Sequence, residues 1–171
     1  MDFTSRRPQA NREGCSIYAR PGWSLTMRIL FLHGMESQPG GDKPKFLEGL
    51  GHEVDNPALP KDSFEESVRI AQVCMDEGQP DVIVGSSRGA AVAMALNTRG
   101  IKLILIAPAY KSFGVTPKLD EAIILHSLLD DIIPVEDSIF LVDNFNVNLH
   151  LCGAGHRMSD PDALRVLGEV L

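Results

Sequence analysis

The sequence has little cysteine, no C-x-x-C pair and no apolar run long enough to span a bilayer. Its three cysteines, Cys15, Cys74 and Cys152, lie far apart, which reads as the reduced thiols of a cytoplasmic protein rather than a secreted disulfide framework. No apolar core follows the N-terminal arginines, so a secretory signal is not expected. Basic charge is scarce as well: 16 Lys and Arg stand against 23 Asp and Glu, a net charge of −7. Nucleic acids and anionic membranes want a basic face, so neither is expected as a partner. Phosphate-cradling glycine motifs are missing. The stretch Gly34–Lys43 lacks G-x-x-x-x-G-K-[ST], and no G-x-G-x-x-G follows the first apolar run, which removes the P-loop and dinucleotide-binding classes. His150, Cys152 and His156 match no common zinc spacing. Neither a metal nor a cofactor is expected.

What remains is an ordinary globular composition, 44% hydrophobic and 23% charged over 171 residues, enough for one domain with its own core. Residues 1–26 stand apart. Four arginines against two acids make them net +2, leaving −9 for the rest, and no period of 2 or 3.6 holds across them. They read as a flexible arm or an upstream-start extension, with Met27 as an alternative initiator; an arginine-rich transit peptide is the sharper alternative. Residues 27–171 read as a single domain.

From Met27 the pattern is regular. MRILFLHG (27–34), PDVIVGS (80–86), KLILIAPA (102–109), EAIILHSLLD (121–130) and VNLHLCG (147–153) are apolar runs that suit strands buried on both faces, and HEVDNPAL (52–59) is a poorer edge strand. Helices are expected between them: 44–51 closed by Gly51, one opened by the Ser63/Glu66 capping box, 88–100 ending at Gly100, 136–145, and a last one opened by Asp160-Pro161. Six alternations of strand and helix predict an α/β three-layer sandwich around a mostly parallel six-stranded sheet.

Ligands of such sheets bind beyond the carboxyl ends of the strands, so those ends carry the candidate chemistry. Gly85-Ser86-Ser87-Arg88-Gly89 fits G-x-S-x-G between a strand and a helix, and only Ser87 has glycine two residues away on both sides. Ser86 precedes the turn and is expected to point back into the fold. A serine hydroxyl is a poor nucleophile near neutral pH and needs a base held by an acid. In chain order Asp130 and then His156 follow at the ends of later strands, giving Ser87, Asp130 and His156 as the catalytic set, with Asp131 as the rival acid. An oxyanion would take two backbone N–H groups, those of Arg88 and Met35. His33, Gly34 and Glu36 after the first strand, and Tyr110 after the fourth, are expected on the substrate side, with His33 shaping its loop. The Arg88 side chain is expected either to meet an acidic substrate group or to form a local salt bridge.

The segments LFLHGMES, VIVGSSRGAAVAM, ILHSLLDDIIPVEDS and GAGHRMSDP resemble the α/β-hydrolase superfamily over residues 27–171. Within it the layout is similar to the small lidless hydrolases related to YqiA-type esterases. The resemblance implies a serine hydrolase without a cap domain, since only Tyr110–Asp120 stands where a cap would be inserted. It implies an open site for a small acyl ester or thioester. His126-Ser127 stands where a His-Gly pair is common in the superfamily, a departure expected to matter little. The same fold also serves as a binding or scaffold module with little turnover, which is the alternative reading.

Overall fold

The computed structural model describes residues 26–171; the N-terminal arm read from the sequence lies almost wholly outside them. Six strands form one sheet: β1 (Arg28–Leu32), β2 (Glu53–Asp55), β3 (Val82–Ser86), β4 (Lys102–Ile106), β5 (Ala122–His126) and β6 (Val147–Leu151). Their order is β2-β1-β3-β4-β5-β6, and all five pairings are parallel. The connecting helices are α1 (Asp42–Gly49), α2 (Phe64–Gly78), α3 (Arg88–Ala95), α4 (Val135–Asn144) and α5 (Pro161–Glu169).

Two apolar layers follow from the period-2 alternation of the central strands. Leu30, Leu32, Ile83, Leu103, Leu105 and Ile124 face one way, onto α2, α3 and α4. Ile29, Phe31, Val82, Val84, Ile104 and Ile106 face the other, onto residues of α1 and α5 such as Leu47, Val166 and Leu167. A strand with apolar residues at every position is therefore buried on both faces, as the unbroken runs require. Helix α3 is buried from Arg88 to Met94, which explains its run of alanines: larger side chains would not fit against the sheet.

The helix starts follow the capping chemistry. The Glu66 N–H donates to Ser63 Oγ at 3.1 Å, and the Ala163 N–H donates to Asp160 Oδ1 at 3.1 Å with Pro161 behind it. The capping box is one-sided, because the Glu66 carboxylate turns to Arg69 instead. Three expected boundaries move. β2 is three residues long, since Pro57 ends the ladder and Asn56 is taken up in bonding to the Phe31 carbonyl. α3 stops at Ala95, where Leu96 turns extended, rather than at Gly100. β5 ends at His126, so Asp130 sits four residues beyond the strand, in a turn.

Candidate active site

Ser87 lies in the sharp turn between β3 and α3 with φ 55° and ψ −116°, a conformation few side-chain-bearing residues adopt. The flanking glycines make the turn possible. A Cβ on Gly85 would sit 2.6 Å from the Ala90 Cα, and one on Gly89 would drive into the Leu32 carbonyl. The turn is then tied to its neighbours. Ser87 donates its N–H to the Ile106 carbonyl at 2.7 Å, and its own carbonyl receives the N–H groups of Ala90, Ala91 and Ala109. A Cβ on Gly34, in the loop after β1, would lie 3.4 Å from Ser87 Cβ.

His156 reaches Ser87 from the loop after β6. Its Nε2 is 3.0 Å from Ser87 Oγ, and its Nδ1 is 2.8 Å from Asp130 Oδ2. The loop can make this approach because Gly153 and Gly155 adopt positive φ, at 81° and 143°. Asp160 clasps it, accepting from Ala154 N–H on one oxygen while capping α5 with the other. Lys43 of α1 donates to the Arg157 carbonyl at 2.6 Å, one residue beyond His156. The structure thus brings Ser87, His156 and Asp130 into one hydrogen-bonded chain at the carboxyl ends of β3, β5 and β6.

The Asp130 side chain is fully buried. Oδ1 accepts the N–H groups of Ile132 at 2.9 Å and Ile133 at 2.8 Å; Oδ2 accepts from His156. Burial works to raise its pKa, but the donors from Ile133, His156 and Ile132 outweigh burial and hold it below the ordinary aspartate value. Asp131, the rival, is exposed and joins none of this.

Met35 is a central residue of the turn that closes with Ser37 donating to the Gly34 carbonyl, and Arg88 opens α3. Neither backbone N–H makes a hydrogen bond among the described residues. The expected substrate-side residues mostly lie elsewhere. His33 is buried: the Leu59 N–H donates to its Nε2 at 3.1 Å, which leaves Nδ1–H to donate to the Gly34 carbonyl at 2.9 Å. It shapes the loop and does not face solvent. Tyr110 is 2% exposed and donates its hydroxyl to the Asp137 carbonyl, joining the short turn after β4 to α4. Glu36 is fully solvated and 4.0 Å from the exposed Lys61.

Arg88 corrects a sequence expectation outright. Its side chain is 1% exposed and hydrogen-bonds to no carboxylate. One guanidinium nitrogen donates to the Pro60 and Ser63 carbonyls and to Ser67 Oγ, and the group lies over the rings of Phe64 and Phe113. It fastens the start of α2 to the Ser87 turn. Burial pulls its pKa down, with Asp62 acting the other way.

Two residues went unread as site components. His126 Nε2 is 3.2 Å from Asp130 Oδ2. Ser127 donates its hydroxyl to the Gly153 carbonyl at 2.8 Å, linking the loop of Asp130 to the loop of His156. The departure from His-Gly to His-Ser therefore has a structural consequence. The carbonyl that takes the Ser127 hydroxyl is 26 residues away, so no local signal exposes that link. Among the described residues no group of His, Cys, Asp and Glu is arranged to hold a metal. Burial, with Asp162 and Asp160, pushes the Cys152 thiol up to about 11.

No model of a known protein family matches this sequence, and no curated protein matches it. Solved structures do. A hydrolase of the α/β superfamily from Xanthomonas campestris pv. campestris, named as putative, is 24% identical, with 84% of this chain and 96% of that chain covered at a TM-score of 0.69. The α/β hydrolase domain-containing protein 10 from mouse is 17% identical over 85% of this chain and 93% of that one, at 0.67. An α/β serine hydrolase homologue from Coxiella burnetii is 18% identical over 84% and 81%, at 0.60. With its parallel sheet, its strained serine turn and these neighbours, the chain has the α/β-hydrolase fold.

Proposed function

We propose that the protein is a serine hydrolase that cleaves small carboxylic esters or thioesters through an acyl-enzyme on Ser87. The observation that carries this reading is the unbroken chain from Ser87 Oγ through His156 to the buried Asp130, at 3.0 and 2.8 Å. Names of the structural neighbours, hydrolases and an α/β serine hydrolase homologue among them, support the same class.

The steps follow from the atoms. Ser87 Oγ attacks the substrate carbonyl carbon and its proton passes to His156 Nε2, whose imidazolium Asp130 stabilises. The resulting oxyanion takes the unused N–H groups of Met35 and Arg88, aided by the N-terminal end of the α3 dipole. Collapse expels the alcohol or thiol, which leaves with the proton from His156. Water then attacks the acyl carbon, giving a proton to His156; the carboxylic acid departs and Ser87 recovers its hydrogen.

Small acyl groups suit a site without a cap. Between β4 and β5 there is one short turn of helix, Tyr110–Phe113, whose Tyr110 is tucked into the core. Nothing there folds over Ser87 to bury a long chain. Free Cys74 and Cys152 fit a reducing, cytoplasmic setting. No helix among the described residues is long and apolar enough to cross a membrane.

A panel of p-nitrophenyl esters from acetyl to octanoyl, with an acyl thioester beside them, tests the reading. Hydrolysis should fall with chain length, vanish in Ser87→Ala and persist in Ser86→Ala. Full activity in Ser87→Ala would overturn the assignment.

A further inference from the structure

Asp130 serves two imidazoles, not one. His126, the last residue of β5, is fully buried, and its Nε2 lies 3.2 Å from Asp130 Oδ2 and 3.1 Å from the Ile133 carbonyl. Its Nδ1 lies 2.7 Å from Ser138 Oγ on α4, also fully buried. We propose that His126 is a positioning residue of the active site: its Nε2–H is a second imidazole donor to the Asp130 carboxylate, in a tautomer set by Ser138. The role rests on the serine-hydrolase reading of Ser87, His156 and Asp130.

The tautomer follows from counting protons. A carboxylate and a carbonyl are acceptors only, so an unprotonated Nε2 between Asp130 and Ile133 would set three lone-pair groups against one another. Nε2 therefore carries a proton. The Ser138 hydroxyl has no acceptor among the described residues other than His126 Nδ1, so it donates there. A continuous sequence of donors results. Ser138 donates to His126 and His126 to Asp130; from the other side Ser87 donates to His156 and His156 to Asp130.

Asp130 then receives four N–H groups, two on each oxygen: Ile132 and Ile133 on Oδ1, His156 and His126 on Oδ2. That fills the lone-pair sites of the carboxylate. Turning it would break bonds on both oxygens at once, so its direction toward His156 Nδ1 is locked. That direction keeps the His156 proton on Nδ1 and leaves Nε2 open to accept from Ser87. His126 also draws on the Asp130 charge and limits how strongly it holds the His156 imidazolium. The charged groups on the elements meeting here are Asp130 and Asp131 on the acid loop, Glu136, Asp137 and Asp143 on α4, Arg157 and Asp160 on the histidine loop, and Asp42, Lys43, Lys45 and Glu48 on α1. The His126 ring bonds to Asp130 alone of these; Asp137 is turned to Lys111.

Nitrogen-15 NMR of the imidazoles in the wild-type protein reads the tautomer directly and needs neither turnover nor a variant. The expected spectrum has His126 protonated on Nε2; a His126 proton on Nδ1 alone overturns the proposal. The second measurement is the rate of fluorophosphonate labelling of Ser87 against pH. His126→Leu keeps the volume and removes the donor, whereas His126→Gln can return an amide N–H near the Nε2 position. With the fold verified by circular dichroism, labelling should slow about tenfold in the leucine variant and its acidic limb should move to higher pH. The glutamine variant should recover most of both. A folded leucine variant with an unmoved limb and an unchanged rate overturns the positioning role. Should wild-type Ser87 itself fail to label, the hydrolase reading falls, while the NMR result still decides the His126 tautomer.

Discussion

The two halves of the site are built by different physics. The Ser87 turn is held by sterics: two glycines where no Cβ fits, a strained serine, and backbone bonds to β4. The Asp130–His156 half is held by polar side chains: Ser127 to Gly153, His126 to Asp130, Asp160 to Ala154 and Lys43 to Arg157. A steric device fails all at once, because backbone cannot yield to an added carbon. A hydrogen-bonded device loosens in steps, each about 0.5–3 kcal/mol. Damage to the first half should therefore be read in folding, and damage to the second in rate.

The largest effect expected is Gly89→Ala. Its methyl meets the Leu32 carbonyl, backbone against backbone, and the variant should lose more than about 4 kcal/mol or fail to fold, as urea titration will show. Asp130→Asn comes next, on the other half. It should fold yet slow Ser87 acylation by about 10⁴-fold, because an amide cannot hold the His156 tautomer. Asp131→Asn should leave the rate alone; if it proves the slower of the two, the acid is misassigned. Asp130 also carries a pH dependence. Asp130 has its folded pKa lowered, so its stabilisation is present above the unfolded carboxylate value and is lost as pH falls through the folded one. The stability gap between wild type and Asp130→Asn, measured by thermal melts, should be full near pH 6 and shrink steadily below about pH 4.

Smaller effects sharpen the same contrast. Arg88→Lys gives up bonds to Pro60, Ser63 and Ser67, so it should cost about 1–3 kcal/mol of stability. The preference between neutral and anionic acyl groups should not move, since the guanidinium is buried away from substrate. Ser127→Gly removes the link between the two loops and should slow acylation by about tenfold or less, with little change in melting temperature. Glu36→Gln, on a solvated pair, should change neither rate nor stability by a measurable amount.

This contrast also governs what a reader of the sequence can see. Gly85, Ser87 and Gly89 lie within five residues, so the motif is legible, although what bars a Cβ at Gly89 is the distant Leu32 carbonyl on β1. The five apolar runs and the caps at Ser63 and Asp160 are local as well, and the parallel α/β sheet follows from them. Asp130 and His156 are visible only as positions near strand ends, and β5 is in fact shorter than its apolar run suggests. Arg88, Tyr110 and Ser127 misled because their partners lie 21 to 28 residues away, where neither period nor propensity reaches. An arginine beside a nucleophile looks like a substrate contact until the carbonyls of Pro60 and Ser63 are seen beneath it.

The most direct test of the account is to react the purified, folded protein with a fluorophosphonate and locate the adduct by peptide mass spectrometry. The account predicts a single adduct on Ser87, retained in Ser86→Ala and absent in His156→Ala. A folded wild-type protein with no adduct on Ser87 would contradict it, and a fold that binds without turning over would take its place.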